Sequence, residues 1–379
     1  MKIKAPGPVG WNHLNMTNVN LRDSFSDSYR QARGRFLEAA RSAGAEVTSY
    51  THPMPGPDGD EIATDVARIG PASARKILGL GSGTHGVEGY CGSGIQSALL
   101  AEGITANLPD DTAFIFIHAI NPWGFAWGRR VNEDNVDLNR NFLDHSAAHP
   151  KNPGYEEIYD ALNPIDLGED ALKLGREKMK AYGEKHGPAA LQHALAGGQY
   201  AHPEGMQFGG TKPVWSNTTL RQIIQTEMSG AEHIVYIDIH SGLGARGIGE
   251  VISTAPETSA TYQRLRSFWG DIVHSTQAEG SVSSHVPGSI TEVFEEELSP
   301  RAVSPCGLEF GTVAMNLVAA ALVADNWLHR HGGLSNPAAP AIKQQIRDAF
   351  YVDADDWKED VTRQTRDMIE RVLAAFREQ

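Results

Sequence analysis

Four side chains in this sequence have the types and placements that metal-assisted hydrolysis requires. The stretch Lys76-Ile77-Leu78-Gly79-Leu80-Gly81-Ser82-Gly83-Thr84-His85-Gly86-Val87-Glu88 runs from an apolar strand into glycines, then delivers a histidine and a glutamate three residues apart. Two such groups reach one point if the backbone turns there, and an imidazole nitrogen with a carboxylate oxygen is a donor pair that suits zinc. Much later, Glu232 to His240 reads as a second strand, ending on His240 just before Ser241-Gly242-Leu243-Gly244. Asp238 shares a face with His240 by the strand period of two. A third strand, Val303 to Thr312, carries Glu309 between Leu308 and Phe310. A carboxylate buried without partners is costly, so Glu309 calls for a purpose. Three protein ligands would leave a fourth zinc position for water, with Glu309 as the general base.

Cations for such a site are supplied by the loop-like segment from Trp127 to Phe142, which holds Arg129, Arg130 and Arg140 among side-chain amides and lacks helical or strand period. An arginine there could stabilise an oxyanion and anchor a substrate carboxylate. A competing reading is that Gly81-Ser82-Gly83-Thr84-His85-Gly86 satisfies the dinucleotide pattern G-x-G-x-x-G. A bulky histidine beside the third glycine suits a pyrophosphate turn poorly, and the acidic residue expected about twenty positions on is missing, Glu102 coming too early.

The elements that must position these groups alternate between strands and helices. Helical spacing covers Ser24 to Ala43 and about Gly92 to Glu102; strand patterns cover Glu46 to Thr51 and the apolar run Thr112 to Ile120, which ends in the turn Asn121-Pro122-Trp123-Gly124. From about 143 to 230 the text is helical and polar, an insertion laid over a sheet. Gly249 to Ala255 reads as a strand, Ser259 to Trp269 and Ile290 to Leu298 as helices, Met315 to His329 as a buried helix, and Ile342 to Phe376 as helical with a break near Tyr351. The expectation is a three-layer α/β/α sandwich with a mixed, largely parallel sheet, formed by residues 1–379 as one catalytic domain.

Composition narrows the class. The chain has 379 residues with 47 acidic against 33 basic, a net charge of -14, which disfavours a nucleic-acid partner. Cys91 and Cys306 are its two cysteines, too few for a disulfide framework. The stretch Met1 to Gly7 lacks the apolar core of a signal peptide, and no run is long enough to span a membrane. A cytoplasmic enzyme without a membrane partner is the expectation.

Taken in order, His85-Gly86-Val87-Glu88, Asn121-Pro122-Trp123-Gly124, Val136-Asp137-Leu138-Asn139-Arg140-Asn141-Phe142, Asp238-Ile239-His240-Ser241 and Leu308-Glu309-Phe310 resemble the zinc metallocarboxypeptidase superfamily (carboxypeptidase A-like). The resemblance is to a poorly characterised bacterial branch, related to succinylglutamate desuccinylase and aspartoacylase. It implies one zinc held by His85, Glu88 and His240, with Glu309 as general base and acid. It implies that Asn139 and Arg140 grip a substrate carboxylate, that Arg130 (or Arg129 beside it) polarises the scissile carbonyl, and that Asp137 orients the first histidine. The activity implied is that of a carboxypeptidase-type metallopeptidase acting on small peptides, or of an N-acyl amino acid deacylase. A binding protein without turnover is the remaining reading, and the intact Glu309 argues against it. The interval from Glu88 to His240 is long at 152 positions, and no counterpart of the mobile pocket tyrosine of digestive carboxypeptidases is found.

Overall fold

The computed structural model describes residues 21–278 and 280–378, so the stretch Met1 to Gly7 lies outside the described residues. Its strands are β1 (Glu46–Thr51), β2 (Ala63–Ile69), β3 (Lys76–Ser82), β4 (Thr112–His118), β5 (His233–Arg246), β6 (Gly249–Ser253), β7 (Val273–Ser275) and β8 (Ala302–Gly311). They form one sheet in the order β1-β2-β4-β3-β5-β8-β6-β7. The central pairs β4/β3, β3/β5 and β5/β8 are parallel, while β1/β2, β2/β4 and β6/β8 are antiparallel. β3 and β4 are buried along their whole length, as the near-continuous apolar runs of central parallel strands require.

The helices are α1 (Tyr29–Ser42), α2 (Gly89–Ala101), α3 (Pro122–Ala126), α4 (Pro153–Leu162), α5 (Glu169–His186), α6 (Pro188–Ala196), α7 (Trp215–Glu227), α8 (Ala260–Trp269), α9 (Ile290–Leu298), α10 (Met315–Arg330), α11 (Ala339–Phe350) and α12 (Asp355–Glu378). One face of the sheet is covered by α1, α2, α8 and α12, whose Phe36, Ile95, Leu265 and Trp357 share a core with Leu78, Phe114 and Ile237. The other face takes α7 and α9, with Leu220, Ile223 and Phe294 against Ile115, Ile117 and Ile234. The result is a three-layer α/β/α sandwich around a mixed sheet, as the alternation of elements predicts.

Several elements differ from the sequence reading. β2 is absent from it, because Thr64, Asp65 and Arg68 break the apolar pattern; Asp65 is buried there by pairing with Arg33 at 2.8 Å. α1 starts after Ser28, whose side chain accepts from Gln31 N, so Ser24 lies outside the helix. α10 is half exposed rather than buried, with Met315 and Leu317 open to solvent and Val318, Ala321 and Leu328 inward. The 143–230 segment divides: α7 packs on the sheet, while α4 to α6 close on their own apolar cluster around Tyr155, Ile158 and Ala194. Among the described residues no helix is long and apolar enough to cross a membrane.

Candidate metal centre

β3 and β5 lie side by side with Ser82 opposite Ile239, so the loop after β3 opens beside the last residues of β5 before its bulge. That loop enters a short 3-10 turn, Gly86–Glu88, which folds Glu88 back toward His85. The turn bonds backbone to backbone with the segment that follows α3: Gly86 N donates to Arg130 O and Val87 N to Arg129 O. A Cβ on Gly86 would lie 2.0 Å from the carbonyl carbon of Gly124, so glycine is required at this approach. Gly81 and Gly86 are therefore filled by protein contacts (a Cβ on Gly81 would meet the Tyr236 hydroxyl at 2.0 Å), and the G-x-G-x-x-G pattern is one of close packing.

His85, Glu88 and His240 converge, with one ligand atom from each lying within 4.8 Å of the others. Glu88 is central: its Oε1 is 2.9 Å from His85 Nδ1 and its Oε2 is 2.8 Å from His240 Nδ1. Each imidazole is held from behind through its other nitrogen, His85 Nε2 at 3.1 Å from Asp137 and His240 Nε2 at 2.6 Å from Asp238. A carboxylate behind each ring places the proton on Nε2 and leaves the Nδ1 lone pair facing inward, the tautomer a metal needs. Glu309 is the cross-strand neighbour of His240 in the β5/β8 register and so projects from the same side of the sheet. β5 bulges between Gly242 and Arg246, which turns Leu243 N to donate to Glu309 Oε1 at 2.9 Å.

The charges around this cluster are unbalanced without a cation. Burial works against the ionised form of Glu88, but the imidazoles of His85 and His240 hold its carboxyl below the ordinary range. Burial also opposes Asp137, and there Arg140, Arg130 and His85 win, keeping it well below the usual value. Glu309 goes the other way: burial, reinforced by the Glu88 carboxylate, pushes it up to about 7. Burial would lower His240, yet Asp238 and Glu88 lift it well above an ordinary imidazole. Arg130 pairs with Glu88 and Asp137, and Arg140 with Asp137, while the Asp238 carboxylate lies behind His240 and Glu309 beside it. A divalent cation bound among these groups would compensate the carboxylates that the two arginines leave unpaired. Two imidazole nitrogens and a carboxylate, each held from behind or by hydrogen bonds, fit zinc.

The arginines separate. Arg130 joins the cluster, with Nη1 3.1 Å from Glu88 Oε1 and Nε 3.2 Å from Asp137 Oδ2, and its side chain keeps 18% of its surface exposed. Arg129 turns the opposite way, to Asp325 at 3.1 Å and Asn135 at 3.0 Å, in a buried ion cluster completed by Lys343. Arg129, the fallback for the carbonyl-polarising role, thus has its side chain held by Asp325 and Asn135 rather than by the cluster. Arg140 donates to Asp137 at 2.8 Å and to the Ala196 carbonyl, and its side chain is buried against Gly198. Asn139 lies at the partly exposed rim, where its Oδ1 accepts from Ile290 N. Asp238 was placed on the right face by strand period, but its contact with His240 was not foreseen. Three other histidines are held by protein contacts: His118 bonds Ser93 and stacks on Phe36, His145 bonds the Asn141 carbonyl, and His202 meets Glu156.

Fold and side chains together define a mixed-sheet α/β protein with a two-histidine, one-glutamate cluster at the carboxyl end of the central parallel strands and a separate glutamate beside it. The chain belongs to the family described as protein of unknown function (DUF2817), whose model matches residues 25–364. A search of curated protein sequences returns no match. Among solved structures it is similar to carboxypeptidase A from Helicoverpa armigera, with 14% identity and a TM-score of 0.45 over 94% of this chain and 77% of that one. It is similar too to a metallo-carboxypeptidase from Burkholderia cenocepacia (12%, TM-score 0.42, 90% and 67%). A succinylglutamate desuccinylase from Chromobacterium violaceum also matches (12%, TM-score 0.38, 83% and 71%).

Proposed function

We propose that the protein is a zinc-dependent hydrolase of an amide bond adjacent to a free carboxylate, in its simplest form a carboxypeptidase-type metallopeptidase for small peptides. The observation that carries this reading is the joint placement of Glu309 and the His85–Glu88–His240 cluster, with Arg130 partly exposed and in contact with that cluster. Zinc held by His85, Glu88 and His240 would supply Lewis acidity toward water and a carbonyl oxygen. Glu309, held by Leu243 N beside the cluster, is suited to accept a proton from the attacking water and to return it to the leaving nitrogen. Arg130 presents a fixed guanidinium to the negative charge that develops on the carbonyl oxygen. Asn139 at the rim and the buried Arg140 next to it complete the hold on the substrate carboxylate.

The test begins with elemental analysis of the wild type and His240→Ala. About one zinc per wild-type chain and far less in the variant is expected; a wild type without metal after incubation with zinc refutes the reading. A panel of short peptides against N-acyl amino acids then separates peptidase from deacylase: release of carboxyl-terminal residues is expected, and exclusive removal of the acyl group assigns the second activity instead. Glu309→Gln should abolish turnover with zinc retained.

A further inference from the structure

The side chains behind His240 form a unit of their own, and the glycines of β3 are shaped around it. Asp238, fully buried, receives His240 Nε2 on Oδ2. The same carboxylate accepts from the Thr84 hydroxyl, whose Oγ1 lies 2.8 Å from Oδ2 and 3.0 Å from Oδ1. The Tyr236 hydroxyl lies 3.4 Å from Oδ1. Tyr236 is fully buried and its ring stacks on Phe294 at 3.7 Å, so the phenol approaches Asp238 along a fixed line. In the β3/β5 register Gly79 is opposite Tyr236 and Gly81 opposite Asp238. A Cβ at Gly79 would be 2.8 Å from the Tyr236 ring, and one at Gly81 would be 2.0 Å from its hydroxyl and 3.0 Å from Asp238 Oδ1. Both glycines make room for this phenol and carboxylate.

Thr84 immediately precedes His85, so one hydroxyl ties the segment carrying the first two ligand residues to the strand carrying the third. We infer that Thr84, Asp238 and Tyr236 are positioning residues that fix the ring orientation and tautomer of His240 and lock it to the His85 loop. The unit acts through His240 and touches no substrate; the inference rests on the metal-centre reading above. Hydrogen-bond partners behind a ligating histidine set metal affinity, and their loss costs about 10- to 100-fold.

The experiment is a zinc competition titration with a chromogenic chelator on purified wild type, Thr84→Val, Thr84→Ser and Tyr236→Phe, paired with visible spectra of the cobalt-substituted proteins and thermal melts. Thr84→Val keeps the side-chain shape and removes both hydrogen bonds, so it should weaken zinc binding by about 10- to 100-fold and change the cobalt spectrum. Thr84→Ser restores the hydroxyl and should return both readouts to near wild type, while Tyr236→Phe should show a smaller loss in the same direction. Tight zinc binding by the wild type with equal binding by Thr84→Val overturns the inference and leaves the metal centre standing; so does a Thr84→Ser variant as weak as Thr84→Val. If Thr84→Val does not fold, Tyr236→Phe decides, and wild-type affinity there overturns the inference. A wild type that binds no zinc overturns both.

Discussion

Replacing Asp137 with asparagine is the most informative single perturbation of the centre. The carboxylate is fully buried and takes four partners: His85 Nε2 at 3.1 Å, Arg130 Nε at 3.2 Å, Arg140 Nη1 at 2.8 Å and the Asn139 backbone N–H at 3.0 Å. Asparagine fills the same space, but it removes the charge and can present an oxygen to only one side, leaving Arg130 and Arg140 to share a buried region without their common anion. Breaking a buried pair by removing one partner costs about 3–5 kcal/mol. With an unfolding entropy near 2.1 cal/mol/K per residue, a chain of this length has about 0.8 kcal/mol/K in all, so the melting temperature should fall by about 4–6 °C. The loosened His85 ring should also weaken zinc binding by about 10- to 100-fold. Adding Arg140→Met to Asp137→Asn removes one of the stranded cations and should recover part of the lost stability, a coupling a double-mutant cycle reads directly. The assay is thermal unfolding of the metal-free proteins, followed by zinc competition. A variant with unchanged melting temperature and unchanged zinc affinity would refute the claim that Asp137 is the common counter-ion of the centre.

Other expectations follow from the same contacts. Gly86→Ala forces a Cβ to 2.0 Å from Gly124, so it should destabilise by at least about 1–3 kcal/mol and lower zinc content together, read by denaturant unfolding and elemental analysis. Asp325→Ala breaks the ion cluster of Arg129 and Lys343 at a similar cost of about 3–5 kcal/mol, yet zinc content should stay at the wild-type level, because none of those groups contacts His85, Glu88 or His240. Arg130→Lys keeps the charge but loses the planar fork, and the chemical step should slow by about 100-fold with zinc retained; wild-type kcat/KM in that variant would contradict the role given to Arg130. His118 is held neutral by burial, its pKa lowered to about 4. Because the unfolded imidazole protonates near 6.5, stability is full above that value and falls by about 3 kcal/mol as pH drops from 6.5 to 4. His118→Leu should flatten that part of the stability profile, and an unchanged acid dependence would contradict the assignment.

What the sequence disclosed and what it withheld divide along a physical line. His85, Glu88, His240 and Glu309 were legible because each is a polar group at or near the end of an apolar strand, where a parallel sheet collects side chains from distant segments. The strand period puts Asp238 on the face of His240, and the two side chains meet there at 2.6 Å. Tyr236 and the glycines opposite it were not legible, since Gly81 reads as a turn glycine until the β3/β5 register sets it against Asp238 beneath the Tyr236 hydroxyl. The choice between Arg129 and Arg130 was likewise undecidable locally: it is made by Asp325, 196 positions further on, which draws one guanidinium away and leaves the other to the centre. β2 escaped for the same kind of reason, its Asp65 being made tolerable inside the sheet by Arg33 on α1. Local pattern thus reveals which residues are capable of chemistry, while partners from other segments decide which of them perform it. The strongest test of the site is accordingly a change to such a partner, Asp137 or Thr84, rather than to a ligand, because removing a ligand abolishes metal binding under any account and only the partners distinguish this arrangement from its alternatives.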